Sequence, residues 1–97
     1  MSEKTNQFEV LHSASVTGSS STIDIPHKTE YITVSVVGND GVWVTDTSGN
    51  KLLAVPAFQS GDDSKKSFVA LPLAGISIKV SLDSGTANVY VTRFFAQ

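Results

Sequence analysis

The segment from Ile76 to Asp83 reads Ile-Ser-Ile-Lys-Val-Ser-Leu-Asp, an unbroken alternation of aliphatic and polar residues. Successive side chains of a β-strand point to opposite faces, so a period of two builds a strand with one buried side and one wetted side. The same pattern returns along the chain. Ile32, Val34 and Val36 alternate with Thr33, Ser35 and Val37, and Val42 and Val44 with Trp43 and Thr45. Ala87, Val89 and Val91 alternate with Asn88, Tyr90 and Thr92. In a first strand, Phe8, Val10, His12, Ala14 and Val16 share one side, with Glu9, Ser13 and Ser15 opposite and Leu11 out of pattern. A helix over 5–13 is the poorer reading, because no apolar stripe at helical spacing continues past Leu11.

Turn residues separate these runs. Gly18 to Ser21 is a loop, and Ile23 and Ile25 form a short strand ended by Pro26, which has no amide hydrogen to donate to a ladder. Asn39-Asp40-Gly41 and Asp83-Ser84-Gly85 suit the positive φ angles of tight turns, so each predicts a hairpin between its flanking strands. Asp46 to Asn50 turns the chain into a strand over Lys51 to Val55. Pro56 and the polar stretch Gln59 to Lys66 make the longest loop; Phe68, Val69 and Leu71 follow, then a corner at Pro72 to Gly75. About eight short antiparallel strands at spacings of roughly 8–12 residues indicate an all-β chain folded as a single β-sandwich or small barrel. The domain spans 8–97, and residues 1–7 are expected to be a flexible N-terminal arm. Ninety-seven residues suffice for one core.

Composition narrows the chemistry. Val, Ile and Thr supply 26 of the 97 residues, and charged residues only 16 %. There is no cysteine, which removes disulfides, thiolate metal sites and cysteine nucleophiles together. The formal charge is −2 and Lys65-Lys66 is the only adjacent basic pair, a pattern unsuited to nucleic acid. No run approaches the roughly 20 apolar residues of a membrane helix, and the polar N-terminal segment lacks an export signal. The two histidines, His12 and His27, are too far apart in sequence for a metal motif, and no Gly-x-Ser-x-Gly elbow accompanies them. Asp62-Asp63 beside Lys65-Lys66 reads as a solvated loop, not a calcium cage. Neither a cofactor nor an enzymatic activity is expected.

Binding features remain. Arg93-Phe94-Phe95 ends the last strand, so its two phenylalanines must take opposite faces; Tyr90 and Phe94 share the side away from the core. Together with Trp43, the residues Tyr90, Phe94 and Phe95 are the expected subunit contacts, because apolar strips of this kind mark association. The alternative is a carbohydrate- or receptor-binding module of the tail-fibre type. It would present Tyr31 and Trp43 as stacking platforms beside Asn39, Asp40 and Asp62.

From "YITVSVVGNDGVWVTDTSGNKLLAV" through the polar linker to "SFVALPLAGISIKVSLDSGTANVYVTRFF", the chain resembles small auxiliary virion proteins of tailed bacteriophages, the head-decoration or cement type. The likeness is one of strand style and covers about two-thirds of the chain. It implies a jelly-roll-like sandwich and a homo-oligomer, with the trimer favoured. It also implies a non-enzymatic role as a structural virion protein made in the host cytoplasm. The partner would be the major capsid protein or another virion protein.

Overall fold

The computed structural model describes residues 6–57 and 68–96. Among these residues there are seven strands: β1 (Asn6–Ser19), β2 (Ile23–Asp24), β3 (Tyr31–Gly38), β4 (Val42–Thr45), β5 (Lys51–Val55), β6 (Phe68–Leu71) and β7 (Ser77–Ala96). Of the expected arm, Asn6 and Gln7 already belong to β1, paired with Ala96 and Phe95. The remainder of the arm, and Asp62 in the long loop, lie outside the described residues.

β7 is the spine. One of its sides carries β1 and then β2; the other carries β3 and then β4, and β6 and β5 complete the order β5-β4-β7-β3-β6. All pairings are antiparallel. The all-β reading therefore holds. In place of eight short strands in a jelly-roll-like sandwich, however, the pairings give one continuous sheet curled into a half-barrel.

Both expected hairpins are corrected. β3 pairs with β7 from Tyr31↔Phe94 to Gly38↔Ala87, and β4 resumes along the same edge at Trp43↔Ser81. Asn39-Asp40-Gly41 thus bends a strand without reversing it. Asp83-Ser84-Gly85 does likewise inside β7: β1 passes from Thr17↔Thr86 to Ser19↔Ser81, skipping this stretch. Gly85 sits at φ 78°, the left-handed region that glycine enters without a Cβ penalty. The five-residue step from Leu82 to Ala87 changes parity here, just as it would across a hairpin, so alternation alone could not separate the two outcomes. At Gly41 a Cβ would stand 2.6 Å from the Val55 carbonyl oxygen, which explains why glycine lets the bent strand pass so close to the end of β5.

The bends fold two half-sheets toward each other. One half contains β1, β3, β6 and the Thr86–Ala96 part of β7; the other contains β2, β4, β5 and Ser77–Leu82. Ile32, Val34, Val36, Val89 and Val91 from the first half and Val44, Val55, Ile78 and Val80 from the second are all fully buried, in one core cluster. Each such side chain contributes about 1.5–3 kcal/mol by leaving water. The aliphatic stripe of β7 begins at Ile78, since Ile76, which precedes the strand, is 43 % exposed.

The turn joining β4 and β5 is held by one side chain. Asp46 accepts hydrogen bonds from the backbone amides of Ser48 and Asn50, each at 2.9 Å, and from Asn50 Nδ2 at 2.8 Å. The bond from the Asn50 side chain, followed by that from the Asn50 amide, holds the Asp46 carboxyl below the ordinary aspartate range. A carboxyl whose pKa is lower in the folded than in the unfolded chain adds stability above its unfolded value. That increment is lost as pH falls through the folded value. Stability is therefore expected to decline on acidification below about pH 4, and an Asp46→Ala variant to show a shallower decline. Urea titrations across this range check it, and an NMR midpoint for Asp46 at or above the free-aspartate value would contradict it.

Candidate functional site

The alternation that buries Val89 and Val91 turns Tyr90, Thr92 and Phe94 to the outer face of the same strand. Register then brings neighbours to them. Phe94 lies opposite Phe8 of β1 on one side and Tyr31 of β3 on the other. The Tyr31 and Phe94 rings stack at 4.9 Å with 14° between their planes, and Phe8 and Phe94 are tilted at 6.3 Å. A three-strand aromatic row results. Such pairs are worth about 0.5–1.5 kcal/mol beyond the area they bury, yet the row remains partly in water: Phe8 is 69 % and Tyr31 39 % exposed, with Phe94 half-buried between them. Val10 and Tyr90 stand one or two rows further on, at 54 % and 40 %.

Phe8 and Val10 reach this face through a bulge that the alternation concealed. The register of β1 shifts between Val10 and His12, so Leu11 is the extra residue and packs toward the core. Residues before the bulge are thereby moved to the face opposite His12, Ala14 and Val16, where the first-strand stripe had placed them with the core.

Among the described residues, the outward-facing side chains of β1, β3 and β7 carry no charge; Glu30, just before β3, lines a depression with Tyr31 and Phe94 at the edge of this face. Beyond the row, β1 turns Val10, Ser13, Ser15 and Thr17 outward; β7 turns out Thr86, Asn88, Tyr90 and Thr92; and β3 turns out Thr33, Ser35 and Val37. The Thr17 and Thr86 hydroxyls bond to each other at 2.8 Å. Charged side chains of these strands lie elsewhere: Glu9 and Arg93 pair on the opposite face, with Nε 2.7 Å from Oε1. By contrast, Lys51, Lys79 and Asp83 occupy the outer side of the second half-sheet.

The four expected subunit contacts do not form one patch. Tyr90 and Phe94 share the outer face, as alternation required. Phe95 faces the other way and stacks under the Arg93 guanidinium, 3.9 Å from its carbon to the ring centroid. Arg93 also donates from Nη1 to the Lys28 carbonyl at 2.8 Å, so this pair ties down the end of the sheet. Trp43 belongs to the second half-sheet, where its partner Ser81 is 13 residues before Phe94 along β7, about 40 Å of strand path. Its Nε1 donates to Asp83 Oδ2 at 3.2 Å, and Lys51 Nζ lies over its ring at 4.7 Å, itself paired with Asp83 at 3.5 Å.

The alternative ligand set is likewise divided. Tyr31 and Trp43 sit toward opposite ends of the β3–β4 run. Asn39 lines an open depression of about 370 Å³ with Ser15, Val37 and Asn88, whereas Asp40 lines a separate one with Asp83 and Ser84. No stacking platform faces a second one. His12 lies on β1 opposite Val91, its Nε2 buried without a hydrogen-bond partner, and His27 packs against Gly75. Among the described residues, no three His, Asp or Glu side chains gather as metal ligands would. No helix is long and apolar enough to cross a membrane among the same residues.

No family model and no curated protein matches the chain. Among solved structures it is similar to the crystal structure of the SPBc2 prophage-derived protein YomS, with a TM-score of 0.53 and 14 % sequence identity. The similarity covers 100 % of this chain and 97 % of that one. At such identity the likeness is one of fold, and it extends over both half-sheets.

Proposed function

We propose that this chain is a non-enzymatic structural protein of a tailed-phage particle, of the head-decoration type. In this reading it associates with copies of itself and docks on the surface of the major capsid protein. It is made in the host cytoplasm and resides in the virion. The observation that carries the reading is the partly exposed aromatic row of Phe8, Phe94 and Tyr31, on a face whose described strands turn no charged side chain outward. Aromatic enrichment with depletion of charge is the compositional mark of an interface centre, and a protein whose work is assembly has such a surface to cover. One further fact supports it: a fold shared over its full length with a prophage-derived protein.

Decoration is an additive mechanism. A modest contact repeated over a symmetric shell gives a large total through effective concentration, so no single contact need be tight. The test is direct. Particles produced by a strain carrying this gene are purified by density gradient, and the chain is quantified by mass spectrometry relative to the major capsid protein. A fixed, near-stoichiometric ratio is expected. A chain abundant in the lysate and absent from the particles would overturn the reading.

A further inference from the structure

The uncharged outer face of the first half-sheet has an occupant that its chemistry selects. We infer that it is covered by a second copy of this chain, packed face to face about a two-fold axis lying between the sheets. This deepens the proposed function by naming the partner and surface of self-association, with a two-fold pairing in place of the trimer that the resemblance implies, and it rests on the reading that the protein assembles.

Charge is the first reason. A foreign protein can be matched by complementary charges, which give specificity and speed encounter. In a two-fold contact the same patch serves both sides, and a residue near the axis meets its own copy. Any charge there would face its like. Among the described residues, β1, β3 and β7 turn aliphatic, aromatic, hydroxyl and amide groups outward, with Glu30 at the edge, so a two-fold axis through the middle of this face brings no like charges together. The outer side of the other half-sheet, with Lys51, Lys79 and Asp83, does not meet that requirement.

Area is the second. β1, β7 and β3, flanked by β6, present a surface whose projection is about 500 Å², from strand spacings near 4.8 Å and a rise near 3.4 Å. That is the same order as the roughly 800 Å² per partner of a standard stable interface. Texture is the third. Sheets stack at about 10 Å when their facing side chains interdigitate, and the short Thr33, Ser35 and Thr92 side chains beside Tyr90 and Phe94 provide alternating low and high ground. Thr92 is central, in register with Val10 on one side and Thr33 on the other.

The test is native mass by light scattering coupled to size exclusion, on the full chain and on Thr92→Lys. The wild type is expected as a dimer, or an even-numbered assembly of dimers, of 10.3 kDa chains. Thr92→Lys is expected to weaken self-association about 100-fold with an unchanged far-ultraviolet circular dichroism spectrum. A lysine at Ser48, in the exposed β4–β5 turn, should leave the mass unchanged. Because the chain has no cysteine, single variants at Thr33, Ser35, Tyr90 and Thr92 to Cys give a second readout should the lysine variant misfold. At least one is expected to form a covalent dimer with a short thiol cross-linker, and Ser48→Cys none. A monomeric or trimeric wild type, a folded Thr92→Lys dimer, or cross-linking at none of the four positions overturns the inference. The particle test above is independent, since a monomer found stoichiometrically in virions would sink the two-fold pairing and leave the virion role standing.

Discussion

A Phe94→Asp chain is expected to lose self-association while retaining its fold. Phe94 is the middle ring of the row, touching Tyr31 at 4.9 Å and Phe8 at 6.3 Å on the outer face. A carboxylate there must either keep its water, holding the faces apart, or be buried without a partner. An unpaired buried charge costs several kcal/mol, and at 1.4 kcal/mol per tenfold the dissociation constant rises by about 100-fold or more. Native mass across a dilution series measures it, and an assembly that persists at wild-type concentrations would remove the aromatic row from the interface. The neighbouring substitution separates surface from scaffold. Phe95→Asp removes the ring under Arg93 and places a carboxylate beside that guanidinium, so its effect should fall on the end of the sheet and not on association.

The second large effect is expected in the core. Ile32 is fully buried, in register with Leu71 on β6 and Arg93 on β7. Ile32→Ala removes three carbons from a site whose strand neighbours cannot close the gap without breaking ladder hydrogen bonds. Such substitutions cost about 2–5 kcal/mol. Against a typical total of 5–15 kcal/mol, that is a large fraction, and at roughly 4–8 °C per kcal/mol the melting midpoint should fall by about 8–40 °C. Ile76→Ala is the control: at 43 % exposure it lies outside the core, and its effect should stay within about 0.5 kcal/mol. Equal urea midpoints for Ile32→Ala and the wild type would show that the half-sheets do not pack as described.

Much of the candidate site was legible before the fold was known, though not as one surface. That Tyr90 and Phe94 face away from Val89 and Val91 follows from parity within a single strand. That Phe8 joins them does not, because a bulge at Leu11 reverses parity and a one-residue insertion is silent in a pattern of apolar letters. By sequence alone Tyr31 reads as half of a sugar platform with Trp43. The pairing Tyr31↔Phe94 puts it in the aromatic row instead, while Trp43 is held by Asp83 and Lys51 on the other half-sheet.

The strand-forming segments, the identity of most core residues and the lack of cysteine chemistry follow from the order of residues alone. Each is local: a period of two, a β-branched side chain, a residue type present or missing. What Asn39-Asp40-Gly41 and Asp83-Ser84-Gly85 do depends on long-range pairing. Glycine in a turn sequence permits reversal and bending alike. The choice falls to whichever strands, tens of residues away, satisfy the backbone ladder and bury the stripe. Here β1 and β3 both took β7 as partner, so the chain bends at each site, and the uncharged outer face exists because those three strands lie side by side.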